Sequence, residues 1–410
     1  MLKGGVNMIA PKLRFKADDG NDFPELEAKS LFDICEYRNK QSVGKNYVGT
    51  ENMKQNFSGL ESLDEETEMK GVCYCKGDTL MSNIRPYLRK TWKADREGVC
   101  STDVLVFHPI DVASEYLHYL IASDKFISYV MTGAKGVKMP RGDKEHMMKF
   151  SIMVPSLPEQ QKIADFLSTI DTIIEKQRAT VSAWEERKKG VMQKLFSQEV
   201  RFKADDGSDF PDWEEKSFVN TFDSLNNSTF SRDCLNYENG SVKYIHYGDI
   251  LVKYNSSVDV CDAIVPFVNE DLDCERFAIL QDGDIVIADT AEDDTVGKVI
   301  EIENTSNVKT IAGLHTIACR PKEKFASKYL GYYMNSDEYH NQLRPYMQGI
   351  KVTSISKSNI ALTKIMVPSL PEQQKIADCL SALDTVIQKQ KETLEKWQEL
   401  KKGLLQQMFV

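Results

Sequence analysis

The chain is written twice. Leu13–Pro24, reading LRFKADDGNDFP, recurs as VRFKADDGSDFP at Val200–Pro211. Ile152–Asp165, reading IMVPSLPEQQKIAD, recurs without a change at Ile365–Asp378. The match continues in register: Asp171, Thr172, Gln177, Thr180, Trp184, Lys188, Lys189, Gly190 and Phe196 correspond to Asp384, Thr385, Gln390, Thr393, Trp397, Lys401, Lys402, Gly403 and Phe409. A repeat this strong dictates a duplicated architecture, since near-identical sequences build near-identical supersecondary units. Between the copies lie two segments, 25–150 and 212–363, whose sequences differ widely. Faint echoes survive inside them. Tyr47-Val-Gly-Thr-Glu-Asn-Met53 resembles Tyr244-Ile-His-Tyr-Gly-Asp-Ile250, Lys76-Gly-Asp78 resembles Asp282-Gly-Asp284, and Tyr116-Leu-His-Tyr119 resembles Tyr329-Leu-Gly-Tyr332. The two variable segments are therefore expected to share a fold. Constant frames around divergent inserts describe a scaffold presenting two different readers.

The constant segments predict long helices. Ser156-Leu-Pro-Glu159 fits a capping box, with the Ser hydroxyl on the first turn and Glu159 reaching back to the Ser amide; Ser369 and Glu372 repeat it. An apolar stripe follows: Ile163, Leu167, Ile170, Ile174, Gln177, Val181, Trp184, Lys188, Val191, Leu195. The second copy reads Ile376, Leu380, Leu383, Ile387, Gln390, Leu394, Trp397, Lys401, Leu404, Met408. Spacings of four and three alternate throughout, which is a heptad seam. A helix of about 35–40 residues is roughly 50–60 Å long. One with a single apolar stripe needs a partner, and the chain supplies a matching one. Copies that pair with each other favour a pseudo-two-fold, so the expectation is an antiparallel coiled coil with one variable domain at each end. The plainer alternative is that each helix packs only on its own domain. Gln177, Lys188 and their copies interrupt the seam and can set its register. Gly190 and Gly403 weaken the last turns, so either helix is a candidate to stop there.

Composition narrows the class. The chain has 410 residues, 41% hydrophobic and 28% charged, which suits folded domains rather than disorder. No apolar run reaches membrane-helix length and the N-terminus has no secretory apolar core, so a cytoplasmic location is expected. Nine cysteines, without a C-x-x-C, fit reduced thiols; Cys73 and Cys75 lack a second ligand pair, so no metal is expected. The formal net charge is −10, which by itself argues against nucleic acid. The charge is uneven: residues 25–150 carry 18 basic and 19 acidic side chains, and residues 212–363 carry 14 and 24.

At this point a family resemblance is visible. The variable–constant–variable–constant order, the phrase VPSLPEQQKIADFLSTID and the endings RKKGVMQKLF and LKKGLLQQMF resemble the specificity subunits of Type I restriction-modification enzymes. The resemblance covers essentially the whole chain. It departs at Leu26, where the second copy carries Trp213 as the family pattern expects. The resemblance implies an α+β chain divided into an N-terminal arm (1–24), a first target-recognition domain of mixed α/β fold (25–150) and a first helical region (151–199). A repeated lead-in (200–211), a second recognition domain (212–363) and a second helical region (364–410) complete it. Each recognition domain is implied to read half of a bipartite double-stranded DNA site. The paired helices are implied to fix the spacer and to dock two methyltransferase subunits, which two restriction subunits join. S-adenosylmethionine, ATP and Mg would belong to those partners, and this chain would hold no cofactor.

The residues agree that chemistry lies elsewhere: the chain has no GxGxxG, no GxxxxGK[ST] and no HExxH. The run Asp289-Thr-Ala-Glu-Asp-Asp294 reads as an acidic surface loop. Base edges are read by Arg, Lys, Asn and Gln. In the first variable segment two basic clusters qualify as DNA-binding candidates: Arg85, Arg89, Lys90, Lys93 and Arg96, and Lys135, Lys138, Arg141 and Lys144. Asn52, Ser82 and Asn83 are possible base readers, with local turn roles as the alternative. In the second segment the candidates are Lys243, Tyr244, His246, Lys253, Lys298, Lys351 and Lys357. Its acidity implies that partner subunits neutralise much of the phosphate charge. Two competing functions are a coiled-coil scaffold whose variable domains grip proteins, and a fused methyltransferase or nuclease. Co-purification with a methyltransferase, and cofactor binding by the lone chain, discriminate between them.

Overall fold

The computed structural model describes residues 11–63, 65–261, 265–270, 272–349 and 352–409. The chain forms two compact units, Met1–Ala179 with Lys391–Val410, and Thr180–Gln390. Each boundary falls inside a long helix, so each unit owns the start of one helix and the end of the other.

In the first unit, strand Glu27–Ser30 pairs antiparallel with Ser151–Val154, returning the domain's two ends to one point at the foot of the long helix. Between them lie a four-stranded sheet, ordered Cys35–Tyr37, Val104–Pro109, Thr79–Ser82, Thr91–Lys93, and a three-stranded sheet, ordered Gln41–Gly44, Met69–Tyr74, Gly98–Cys100. Thr79–Ser82 is buried along its whole length, as an inner strand covered on both faces must be. The second unit repeats the plan. Glu214–Ser217 pairs with Lys364–Val367. One sheet runs Phe222–Ser224, Thr316–Pro321, Ile285–Ala288, Val299–Glu303, Ser257–Asp259; another runs Leu235–Asn236, Phe267–Val268, Val242–Ile245, Lys309–Ala312.

The three echoes are structural equivalences. Val48 pairs parallel with Cys100 as Ile245 pairs with Ala312, and Met53 and Ile250 both lie in the core. Gly77 and Gly283 adopt φ of 92° and 85°, turning the chain so that the next residue, a buried Asp, accepts a backbone amide three residues back. Asp78 is neutralised by Arg38 at 2.6 Å and bonded to His108, whereas Asp284 takes both arms of Arg320 at 2.8 and 2.7 Å. The fold keeps a buried carboxylate and changes the supplier of its cation.

The long helices span Leu157–Phe196 and Leu370–Met408. Neither stops at its glycine, contrary to the expectation from propensity. Tertiary packing of Leu195, Phe196, Met408 and Phe409 holds the last turns in place. A Cβ added at Gly190 or Gly403 would meet nothing within 4 Å. G190A and G403A are each expected to stabilise the protein by about 0.5–1 kcal/mol, read as a rise in Tm; an unchanged or lower Tm would refute the open-space argument.

The capping box does not form. The Ser156 and Ser369 hydroxyls make no hydrogen bond among the described residues. Glu159 instead takes both arms of Arg14, at 3.0 and 2.6 Å, and Glu372 those of Arg201, at 3.0 and 2.8 Å. A bidentate guanidinium outcompetes a backbone amide for a buried carboxylate. This explains why the lead-in is repeated together with the helix: each copy needs the other. Lys162 and Lys375 add matching bonds to the carbonyls of Lys16 and Lys203, both at 2.8 Å.

Two layers of packing root each domain. In the first unit, Ile163 and Leu167 join the domain core with Tyr116, Leu120 and Ile152, and Leu405, Met408 and Phe409 from the end of the second helix enter the same core. In the second unit, Ile376 and Leu380 pack with Tyr329 and Tyr333, together with Leu195 and Phe196. The plainer expectation for the stripe holds, because each helix start packs on its own domain, and each domain core also takes in the end of the other helix. In each unit the start of one helix lies with the end of the other. A polar triad marks each junction. Tyr119 donates to Asp171 at 2.8 Å, and Lys401 pairs with that carboxylate at 2.5 Å while lying 5.5 Å from the Tyr119 ring centre. Tyr332 donates to Asp384 at 2.7 Å, and Lys188 pairs with it at 2.6 Å, 5.1 Å from the Tyr332 ring centre. The seam lysines are reciprocal cross-helix ion pairs. Elsewhere on the seam Ile170, Ile174, Val181 and Ile387 are buried, and Gln177, Trp184, Leu383, Gln390 and Trp397 are half-buried.

Candidate nucleic-acid interface

In the first unit the chain brings its two basic clusters together. Residues 133–142 form a hairpin closed by reciprocal bonds between Lys135 and Arg141, each amide to the other's carbonyl at 2.9 Å. Gly136, with φ of 98°, makes the turn possible. The hairpin docks on residues 83–89: the Arg85 amide donates to the Pro140 carbonyl at 2.8 Å, and Ile84 bridges Arg141. Arg85 and Arg89 bracket the short 3-10 turn Pro86–Leu88, and both hold left-handed φ, 50° and 54°. Such backbone costs of order 1–3 kcal/mol per residue and concentrates at functional sites.

The surface so formed is cationic with apolar points. Arg85, Lys135, Lys138 and Arg141 are exposed. Around them stand Tyr87 at 46% exposure, Met139 at 50% and Val137 at 100%. Lys135 pairs with Asp143 at 2.8 Å and Arg141 with Asp103 at 3.1 Å. The Lys135 bond, followed by the His146 amide, holds the Asp143 carboxyl down to about 2, and the Asp143 bond raises Lys135. Lys144 is exposed nearby, over the Tyr37 ring.

Other candidates in this unit are occupied in structural roles. Ser82 is buried and donates to the Ile84 carbonyl at 3.0 Å, so it does not face a ligand. Asn52 accepts the Gly49 amide at 2.8 Å, the turn role weighed against base reading. Asn83 is half-buried and pairs by its backbone with Asp103 and Gly142. Lys90 donates to the Thr50 carbonyl, and Arg89 pairs with Asp124 at 2.7 Å. Lys93 pairs with Glu115, and Arg96 with Asp95 and Glu65.

In the second unit most candidates are corrected. Lys243 is buried with its ammonium on the Val260 carbonyl. Tyr244 is fully buried, donating to the Phe230 carbonyl at 2.7 Å. His246 is buried and caps a short helix by accepting the Gly248 amide at 3.0 Å, and burial lowers its pKa. These residues sit on an inner strand and the turn after it, where side chains face core. Lys298 donates to the carbonyls of Leu251 and Tyr254, and burial lowers its pKa. Lys253 pairs with Asp249 at 2.9 Å. Lys357 is exposed. Lys351 lies outside the described residues.

A hairpin recurs here too. Gln348 and Ser354 exchange bonds at 3.1 and 2.8 Å, and Gly349 holds φ of 126°. Its Thr353–Ser354 edge pairs with Thr290–Ala291, the equivalent of the 83–85 segment. The adjoining Glu292, Asp293 and Asp294 are exposed, as the acidic-loop reading requires. The first unit is thus basic at this position and the second acidic. The apolar hairpin residues escaped residue-type reasoning, because an exposed Val or Met carries no chemical signature. Among the described residues, no group of three or more His, Cys, Asp or Glu could hold a metal ion, and no helix is long and apolar enough to cross a membrane.

Two unlike α/β domains, each rooted on both of two long helices, define a protein with two heads. The chain belongs to the Type I restriction modification DNA specificity domain family, whose model matches residues 24–181 and again 211–396. It is 27% identical to the Type I restriction enzyme MjaVIII specificity subunit of Methanocaldococcus jannaschii over 73% of this chain and 72% of that one. Its fold matches a chain solved in work on complex assembly and conformational transition of the type I R-M system, at TM-score 0.56 and 18% identity, over 94% of this chain and 97% of that one. It also matches the S subunit of a Type I restriction-modification system from M. genitalium, at TM-score 0.52 and 13% identity, covering 98% and 99%. The chain is a DNA-recognition component that works with DNA and other subunits of a Type I system, and it is not the catalytic one.

Proposed function

We propose that each recognition domain reads one half of a bipartite duplex site and that the two long helices set the unread gap between the halves. The observation that carries this reading is the reciprocal pair of triads, Tyr119–Asp171–Lys401 and Tyr332–Asp384–Lys188. A head fixed to one helix alone could pivot, whereas one bonded to both is held in position and azimuth. Continuation of the pairing as a coiled coil between the triads would make the gap rigid. At 1.5 Å per residue each helix spans roughly 60 Å, against 3.4 Å per base step, or somewhat more than one duplex turn. In this reading two methyltransferase subunits dock on the helical regions, two restriction subunits join for cleavage, and S-adenosylmethionine, ATP and Mg act in those partners. The setting is the cytoplasm, where the DNA is.

The test is a map of N6-methyladenine in a genome carrying this chain and its methyltransferase partner. A split motif with a fixed gap is expected. Exchanging residues 25–150 for another first domain should change one half of the motif and leave the other half and the gap unchanged. A contiguous motif, or a change in both halves, would overturn the assignment.

A further inference from the structure

The two recognition domains differ almost everywhere, yet their hairpins share a pattern. The first reads Gly136-Val137-Lys138-Met139; the second reads Gly349-Ile350-Lys351-Val352, where Ile350 and Lys351 enter through the sequence alone. The core does not demand this. Val137 is fully exposed, Met139 and Val352 are half exposed, and Lys138 is exposed with no ion pair among the described residues. A β-branched residue followed by a lysine recurs in the sequence of both heads, exposed at Val137 in the first, and points to something both heads touch. The bases cannot be that thing, because two unlike domains read different bases. The sugar-phosphate backbone is common to both. At the hairpin base the likeness ends: Arg85, Lys135 and Arg141 are replaced by Ala291, Gln348 and Ser354, as the paired backbones show.

Resting on the reading that these domains bind duplex DNA, we propose that the hairpin of residues 135–141 is the DNA-contacting element of the first domain and divides its labour along its length. The tip, Val137-Lys138, makes a sequence-independent contact to the backbone. Arg85 and Arg141 at its base carry base preference, consistent with the left-handed φ of Arg85 and with the bidentate reach of guanidinium to guanine. Positioning contacts and discriminating contacts are separate in kind, and only the former should recur between heads with different targets.

The experiment uses the full chain assembled with its methyltransferase subunits, and measures binding to its methylation site and to an unrelated duplex across a salt series. K138A should weaken both duplexes by the same factor, about tenfold at 0.1 M salt, and lower the salt slope by about one. K138R should restore both. R141A or R85A should weaken the methylation site alone, by about tenfold to a hundredfold, and relax the first half of the motif only. Because the Lys138 side chain is exposed, the variant's Tm should match wild type. The proposal is overturned if K138A leaves both affinities unchanged, if it weakens only the methylation site, or if it lowers assembly with the methyltransferase instead. Failure of the two-headed reading would look different: wild-type protein would then show no split motif at all.

Discussion

F409A should destabilise the first unit by about 3–5 kcal/mol, although Phe409 lies more than two hundred residues from that domain's last strand in sequence. The ring is 1% exposed and sits 5.4 Å from the Tyr116 ring in a core shared with Leu117, Ile163 and Leu167. Removing it opens a cavity among side chains already at close packing, and the two sheets cannot collapse to fill it. F196A should do the same to the second unit, where Phe196 lies 5.6 Å from Tyr333. Limited proteolysis and denaturant unfolding of the two variants should show opposite domains loosened: residues 25–150 by F409A, residues 212–363 by F196A. If F409A instead loosened the second domain, the exchange of helix ends between units would be wrong.

Replacing Arg14 by Met should cost about 3–5 kcal/mol, and replacing Arg201 by Met somewhat less. In each case the partner carboxylate, Glu159 or Glu372, is 1% or less exposed, so losing the guanidinium strands a buried charge. The ordering comes from one residue. Glu372 keeps the Trp213 indole N–H at 3.1 Å, while the first copy has Leu26 there and leaves Glu159 with no second side-chain donor among the described residues. Adding E159Q to R14M should recover much of the loss, because a neutral amide tolerates burial better than an unpaired carboxylate. Thermal unfolding of the three variants checks this. Equal and small losses in both copies would mean that water reaches these carboxylates after all.

Particular elements show which features a single sequence can reveal. The long helices were legible because the 4–3 alternation reports one buried face, and every stripe residue from Ile163 to Leu195 is buried or half-buried. The Tyr47, Gly77 and Tyr116 echoes were legible as a shared fold, since core and turn positions tolerate few residues. Reading those same echoes as DNA contacts failed at Tyr244 and His246, and burial also removes Lys243 beside them. Glu159 and Glu372 matched a local capping pattern, but local spacing cannot show that an arginine 145 or 171 residues distant competes for the same carboxylate. The basic surface was half legible: the sequence supplied two clusters, and only the pairing of Arg85 with Pro140 and Ile84 with Arg141 made them one.

The sequence by itself determined the duplication, the helices and the absence of catalytic motifs, all of which rest on local periodicity or on identity between copies. Tertiary structure decided which polar side chains face solvent, which carboxylate each arginine serves and which domain each helix end completes. Those outcomes depend on contacts between residues far apart in the chain, and the free energy of burying a charge or a ring is set by the neighbours that the fold brings to it.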